Sequence, residues 1–142
     1  MSAAGRAAQL KLKHVLLEKT DHLSDTIFKY QKGKHVMATP SQLVLRSDMA
    51  FDAGKREAIL GTWDEQTAGH GVNVMYKAEP VKIEGEQGNF TITLKNGETV
   101  QAETIVMAIG TQGNPNLMRC PGGDNKLVQY QLDDPGEYYD EH

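Results

Sequence analysis

Apolar positions follow two different periods along the chain, and the change comes after residue 71. Met1–Lys13 places alanines and a leucine at i, i+4 and i+7, a spacing that predicts a helix. Lys55–Ala68 shows similar helical spacing, and Gly69 follows it as a stop signal. Two helices are therefore expected in the first half of the chain.

From Val72 onward the period changes to two. Apolar and polar residues alternate over residues 72–101, a pattern typical of strands with one buried face. Gly88-Asn89 and Asn96-Gly97 interrupt the pattern, and Asn-Gly is a strong hairpin signal because both central positions of the turn require positive φ. We predict a small antiparallel meander over residues 72–101.

Two short apolar runs predict buried strands of a parallel sheet. The first, Val15–Leu17, follows the N-terminal helix and ends in Glu18. The second, Thr104–Ile109, ends in Gly110. A helix that leads at once into a buried strand is half of a βαβ unit, so the strand expected before the helix is missing from the sequence.

The other segments predict less regular structure. A short helix is expected over Asp25–Tyr30, a turn at Lys32-Gly33-Lys34 and a loop over Met49–Gly54. Thr111–His142 carries several prolines and glycines, so we expect an extended connection there.

Composition and charge are those of an ordinary globular domain. The 142 residues are 39% hydrophobic and 24% charged, with a net charge of −4, so the basic patch that nucleic acids require is not expected. No apolar run is long enough to span a bilayer, and the single Cys120 fits a reducing compartment. We therefore expect a cytoplasmic protein with neither nucleic-acid nor membrane partners. The five dispersed histidines lack ligand spacing, so no metal site is expected.

Two strand ends carry candidate chemistry. In a dinucleotide-binding βαβ unit, an acid after the second strand, about 20 residues beyond a glycine-rich turn, accepts hydrogen bonds from the adenosine ribose. Glu18 occupies such a strand end, although a solvated strand end explains an acid there equally simply. Gly110 would let the backbone approach a ligand closely, and its alternative is an ordinary turn after a strand.

The order of these parts resembles the FAD-binding domain of thioredoxin-reductase-like flavoproteins. Met1–Gln9 resembles the start of that family's first helix, just after its Gly-x-Gly-x-x-Gly turn, and Ala108-Ile109-Gly110 resembles its Ala-Thr-Gly motif. Arg119–Asp124 looks like the family's connection into its NAD(P)H domain. The resemblance covers nearly the whole chain. It extends to ferredoxin-NADP reductases of this type and to bacillithiol-disulfide-reductase-like members of the pyridine nucleotide-disulfide oxidoreductase family.

The fold that the resemblance implies is α/β. It is an incomplete Rossmann-like FAD-binding domain whose first βαβ strand is missing, with an inserted antiparallel β-meander. Residues 1–132 would form the partial FAD-binding domain, with the meander at 72–101, and residues 133–142 would connect toward a missing NAD(P)H domain.

The resemblance also implies a cofactor site for FAD. Glu18, with Lys19 beside it, would hold the adenosine ribose, and backbone groups near Pro80 and Val81 would meet the adenine. The pyrophosphate and flavin side would lie along Ala108, Gly110 and Thr111. Catalytic residues are not identified, and the NAD(P)H site would belong to the missing domain.

Two departures from the family pattern weaken this site. The phosphate-binding glycines are absent, and His22-Leu23-Ser24-Asp25 stands where family members often carry a Gly-Gly pair. We therefore expect a fragment of an FAD-dependent NAD(P)H oxidoreductase that holds FAD weakly or not at all and is inactive alone. The alternatives are a non-catalytic nucleotide-binding or protein-interaction module that retains the fold without flavin, and an unrelated α+β domain.

The missing strand has a consequence for assembly. In the parent fold it lies between the strand ending in Glu18 and the strand ending in Gly110, so its absence exposes two apolar edges. Each buried unsatisfied backbone group costs about 1–3 kcal/mol, a large part of a typical domain stability of about 5–15 kcal/mol. We expect the edges to be covered by direct pairing, by another segment of the chain, or by a second copy in a homo-oligomer or strand-swapped dimer.

Overall fold

The computed structural model of the protein describes residues 1–38, 44–110 and 116–130. Over these residues the helices are α1 (Ser2–Gln9), α2 (Asp25–Phe28) and α3 (Arg56–Gly69). The strands are β1 (Leu16–Leu17), β2 (His35–Val36), β3 (Gly54–Lys55), β4 (Val74–Met75), β5 (Pro80–Glu86), β6 (Asn89–Leu94) and β7 (Thr99–Ala102). They form two pairs, β1–β4 and β2–β3, and one three-stranded sheet in the order β5-β6-β7.

The two main predicted helices are confirmed, with different ends. α1 stops at Gln9 rather than Lys13 because Lys11 adopts a left-handed conformation with φ 55, which turns the chain toward β1. The amides of Lys11 and Leu12 still bond to the last turn of the helix. α2 is shorter than the predicted Asp25–Tyr30, and Gly33, with φ 71, lies in the predicted turn.

The start of the predicted meander is wrong. Val74 and Met75 do not join the antiparallel sheet; β4 pairs in parallel with β1, in the register Leu16↔Val74. The period-two pattern alone could not distinguish the two outcomes, since α3 is what carries the chain back beside β1. The β1–α2–α3–β4 segment is therefore a parallel unit of an α/β fold.

The meander itself is confirmed from Pro80 onward. β5, β6 and β7 pair antiparallel, and Ile92 and Leu94 of β6 form a buried cluster with Ala78. Leu17, Val100, Ala102 and Ile105 pack against this cluster. The first turn is shifted by one residue, to Gln87-Gly88, because Asn89 already begins β6. The second turn spans Lys95–Gly97, where the amide of Gly97 donates to the carbonyl of Leu94. Gly97 has φ 90, but Asn96 lacks the positive φ that the prediction required of both residues.

The predicted buried strand at Thr104–Ile109 is wrong. Ile105 packs on the meander cluster, but Val106, Met107 and Ile109 are 70%, 60% and 81% exposed. An apolar run becomes a buried strand only when neighbouring strands pair with it. Over the described ranges, none of the β strands pairs with this run, so most of its apolar side chains stay exposed.

None of the helices in the described ranges is both long enough and apolar enough to cross a membrane. The proposed connector at residues 133–142 lies outside the described residues, and the boundary at residue 132 stays a prediction.

Candidate functional site

The backbone around Glu18 is fixed by the parallel pair and the segment that follows it. The amide of Glu18 donates to the carbonyl of Met75 at 2.9 Å, and its own carbonyl accepts the amide of Ala78 at 2.9 Å. The amide of Lys77 donates to the carbonyl of Thr20, also at 2.9 Å. Where β1 ends, the backbone of Glu18 is therefore hydrogen-bonded both to β4 and to the segment that leads into β5.

The carboxylate of Glu18 is half-buried and uses one of its oxygens locally. Oε1 accepts the amide of Thr20 at 3.0 Å and lies 3.2 Å from the Thr20 hydroxyl. That hydroxyl has a single hydrogen and a shorter contact of 2.7 Å to the carbonyl of His22. Among the described residues, no hydrogen-bond donor contacts Oε2, so it is available to accept hydrogen bonds from a ligand.

The first turn of α1 lies near this carboxylate. The terminal ammonium of Met1 is half-buried; burial lowers its pKa, and the negative charge of Glu18 acts in the opposite direction. The Met1 thioether accepts a 3.4 Å hydrogen bond from the hydroxyl of Ser24. Burial, followed by the charges of Asp64 and Glu18, raises the pKa of Tyr76. Glu18 thus lies near the N-terminus of α1, and a helix N-terminus favours bound anions.

Lys19 points toward the meander. Its ammonium lies 3.3 Å from Glu79, which also binds Lys95 at 2.9 Å. Hydrogen bonds from Lys95 and Lys19 lower the pKa of Glu79. Lys19 therefore ties the end of β1 to the beginning of β5.

Pro80 and Val81 follow directly at the start of β5. Pro80 pairs with Leu94, and the register shifts between Pro80 and Lys82, so Val81 is the extra residue of a bulge. Val81 is 58% exposed. The hydrogen bond between the amide of Ala78 and the carbonyl of Glu18 places the start of β5 next to Glu18, and the Lys19–Glu79 ion pair lies beside it.

No hydrogen bond among the described residues links Ala108 or Gly110 to Glu18. Ala108 and Gly110 lie in the exposed run after β7; Gly110 has φ 65, and no described residue lies within 4 Å of the position that a Cβ would take there. Thr111 lies outside the described residues. Lys19, Pro80 and Val81 therefore lie close to Glu18, while Ala108 and Gly110 belong to the exposed run. That any of these residues binds FAD stays a prediction.

A charged cluster beside Glu18 was missed by sequence reasoning. His22 lies 2.9 Å from Asp21 through Nδ1 and 3.0 Å from Asp25 through Nε2, and its ring stacks on Phe28 at 3.7 Å. Burial lowers the pKa of His22, but its hydrogen bonds to the two carboxylates outweigh this and raise it overall. The sequence signal was the Asp-His-x-x-Asp spacing, in which both acids are within reach of one imidazole.

Ser24 lies in the loop where the family resemblance would place a Gly-Gly pair. It adopts φ 61 and ψ 42 as the residue before α2, a left-handed conformation that costs a non-glycine residue about 1–2 kcal/mol. Its hydroxyl contacts Met1, so the serine adds a link to α1 that glycine could not make. In the described parts of the chain, no group of three or more His, Cys, Asp or Glu side chains could hold a metal ion.

Comparison with known proteins agrees with the resemblance found in the motifs. The family model described as pyridine nucleotide-disulphide oxidoreductase matches residues 1–142. No curated protein matches the sequence significantly.

Solved flavoprotein structures share the fold. Bacillithiol disulfide reductase from Bacillus cereus superposes with a TM-score of 0.74 at 24% identity, over 96% of this chain and 44% of that one. The Staphylococcus aureus enzyme gives 0.57 at 16% identity, over 72% and 32%. A flavin-containing monooxygenase from Stenotrophomonas maltophilia gives 0.56 at 11%, also over 72% and 32%. The chain thus spans less than half the length of these proteins, and the likeness shows an α/β fold similar to FAD-binding flavoprotein domains.

Proposed function

The chain belongs to the pyridine nucleotide-disulphide oxidoreductase family, and on that premise we propose that it supplies the adenosine side of an FAD site in an oxidoreductase. The observation that carries the proposal is the carboxylate of Glu18. It is fixed at the end of a parallel strand, has one uncommitted oxygen and lies beside the first turn of α1. This combination is the one that an adenosine ribose next to a pyrophosphate requires.

Each part of the site has a role that its chemistry suits. Oε2 of Glu18 would accept the ribose hydroxyls, and the start of α1 would face the pyrophosphate. The bulge at Val81 would offer backbone groups to the adenine, because a bulge takes a residue out of regular strand pairing. Lys19 would act indirectly, by holding the start of β5 against the end of β1 through Glu79.

The described residues fit the adenosine part of FAD better than its flavin part. Ala108 and Gly110, proposed for the flavin side, lie in an exposed run that pairs with none of the described strands. We therefore expect this chain alone to hold FAD weakly and to be inactive. Bound FAD would supply the redox chemistry. The whole protein would pass electrons from NAD(P)H to a disulfide, a ferredoxin or another acceptor.

Calorimetric titration of the protein with ADP and with FAD tests this function. We expect ADP to bind, and Glu18→Ala to weaken that binding at least about tenfold, the equivalent of a lost hydrogen bond to a charged group. Glu86→Ala, which removes an exposed carboxylate at the far end of β5, is the matched control and should leave affinity unchanged. Equal affinity of the two variants would overturn the role of Glu18.

The exposure of the run after β7 favours a second candidate, a nucleotide-binding or protein-interaction module that does not use flavin. The same titration separates the two. If the isoalloxazine ring contributes contacts, FAD binds more tightly than ADP and visible absorbance bands of the flavin shift on binding. Equal affinities and an unshifted spectrum would favour the second candidate.

A further inference from the structure

Residues Ser47–Phe51, called the brace below, lie between α1 and α3. Ser47 and Met49 are 7% and 1% exposed, unusual values in a segment without helix or strand. On the α1 side, the hydroxyls of Ser2 and Ser47 are 3.1 Å apart. The brace therefore contacts the first turn of α1 directly.

Met49 sets how closely the brace approaches α1. A Cβ atom placed on Gly5 would lie 2.6 Å from Sδ and 3.0 Å from Cγ of Met49, distances that packed carbon atoms do not tolerate. Gly5 is the buried residue of α1. The thioether therefore occupies the space that a side chain at position 5 would fill, and the helix rests on it.

The opposite side of the brace is fixed to α3. The amide of Ala50 donates to Oε1 of Gln66 at 2.9 Å, and its carbonyl accepts Nε1 of Trp63 at 2.9 Å. Phe51 packs against the same indole, with ring centroids 5.4 Å apart. Both backbone polar groups of Ala50 are thus bound by a single helix.

α3 also determines the position of Glu18. It leads into β4, which pairs with β1, and the carbonyl of Met75 in β4 accepts the amide of Glu18. One helix is therefore connected to the carboxylate through the parallel pair and to α1 through the brace.

We propose that the brace is a positioning segment, with Met49 at its centre, that sets the first turn of α1 relative to Glu18 and so tunes affinity for the diphosphate of an adenine nucleotide. This inference rests on the proposed function. It predicts that changes in the brace alter the affinity for the diphosphate but not the affinity for adenosine. Adenosine uses only Glu18 and the bulge at Val81, whereas ADP also requires the start of α1 at the correct distance.

Affinity for ADP and for adenosine, measured by calorimetry in each variant, tests the proposal. Met49→Ala should weaken ADP binding about tenfold, the equivalent of one charged hydrogen bond, and leave adenosine affinity unchanged. Met49→Leu, which conserves volume, should keep most of the ADP affinity. Glu18→Ala, in contrast, should weaken both ligands.

Gly5→Ala gives an independent check through the same contact. In the wild-type background the added methyl meets Met49, so ADP affinity should fall as in Met49→Ala. In the Met49→Ala background the space is open, and the same substitution should have much less effect. If circular dichroism shows that Met49→Ala does not fold, Ser47→Ala, which removes only one hydroxyl, takes its place in the ADP and adenosine titrations.

Three results would count against the proposal. If variants of the brace weaken the binding of ADP and of adenosine equally, the brace has a merely structural role. If they leave ADP affinity unchanged, the brace has no role in binding. Additive effects of Gly5→Ala and Met49→Ala would remove the contact from the explanation. A wild-type protein that binds neither ligand would overturn the proposed function itself, whereas the first three results leave it standing.

Discussion

The meander and the parallel pair are two sheets of the same chain whose strands find their partners at different distances along the sequence. β5, β6 and β7 are four to seven residues long, follow one another through tight turns and bury Ile92 and Leu94. β1 and β4 contribute two residues each and are separated by two helices. The run after β7 is as apolar as either, yet it remains exposed.

The difference shows how much each kind of pairing depends on distant sequence. An antiparallel hairpin brings its own partner, because the next strand returns through a short turn. A parallel strand receives its neighbours only from elements far along the chain. The meander is therefore complete, whereas the parallel region has one pair and a strand-like run without described partners.

The largest expected effect is on the oligomeric state of the protein in solution. The exposed run after β7 has the low charge and β-branched residues that favour strand association, so light scattering should find a dimer or larger species. Ile109→Lys should shift the population toward monomer. Leu127→Lys, at a residue 89% exposed but outside the run, is the control and should leave the mass unchanged. A monodisperse wild-type monomer would contradict the expectation that open strand edges become covered.

The next largest expected difference lies in the free energy of unfolding, which should respond to substitutions in the meander but not to those in the run after β7. Leu94→Ala removes a side chain that is 1% exposed in the meander cluster, and should lower the free energy of unfolding by about 2–5 kcal/mol. Ile109→Ala, at a residue 81% exposed, should change it by less than about 0.5 kcal/mol in dilute protein. Urea denaturation measures both. A large loss from Ile109→Ala would show that the run is packed in solution.

The smallest effect is a pH dependence from the loop beside β1. The pKa of His22 is raised, so its contribution to stability is fully present below the ordinary histidine value of 6.5 and is lost as pH rises through the raised value. Asp21 and Asp25 have lowered pKa values, and their contributions are lost as pH falls below the ordinary 3.8. The cluster should therefore stabilise the fold most between these limits.

Unfolding curves across pH check this prediction. His22→Gln should reduce stability at mildly acidic pH and converge with the wild type at alkaline pH. His35→Gln, at an exposed histidine of β2, should follow the wild-type curve throughout. An upward shift of the His22 ring pKa in an NMR titration would support the same cause, and a downward shift would contradict it.

Sequence periodicity predicted α1, α3 and the meander because each depends on neighbours close in sequence. It placed Glu18 at a strand end correctly, since a short apolar run followed by an acid is a local pattern. It assigned Val74 and Met75 to the wrong sheet, and it gave the run at 104–110 a burial that no described neighbour provides. The His22 cluster was missed although Asp21 and Asp25 are near neighbours in sequence, because their spacing alone does not fix the loop conformation that brings both carboxylates to the ring.

By itself the sequence determined the family, the helices and the hairpins, because motifs and alternating patterns are local properties of a chain. Only the tertiary structure decided that β4 pairs with β1, that Met49 fits against Gly5, and that Lys19 is engaged by Glu79. These contacts join residues far apart in sequence, and no local pattern fixes which distant side chain fills a given space. The physical reason is that packing and pairing depend on three-dimensional proximity.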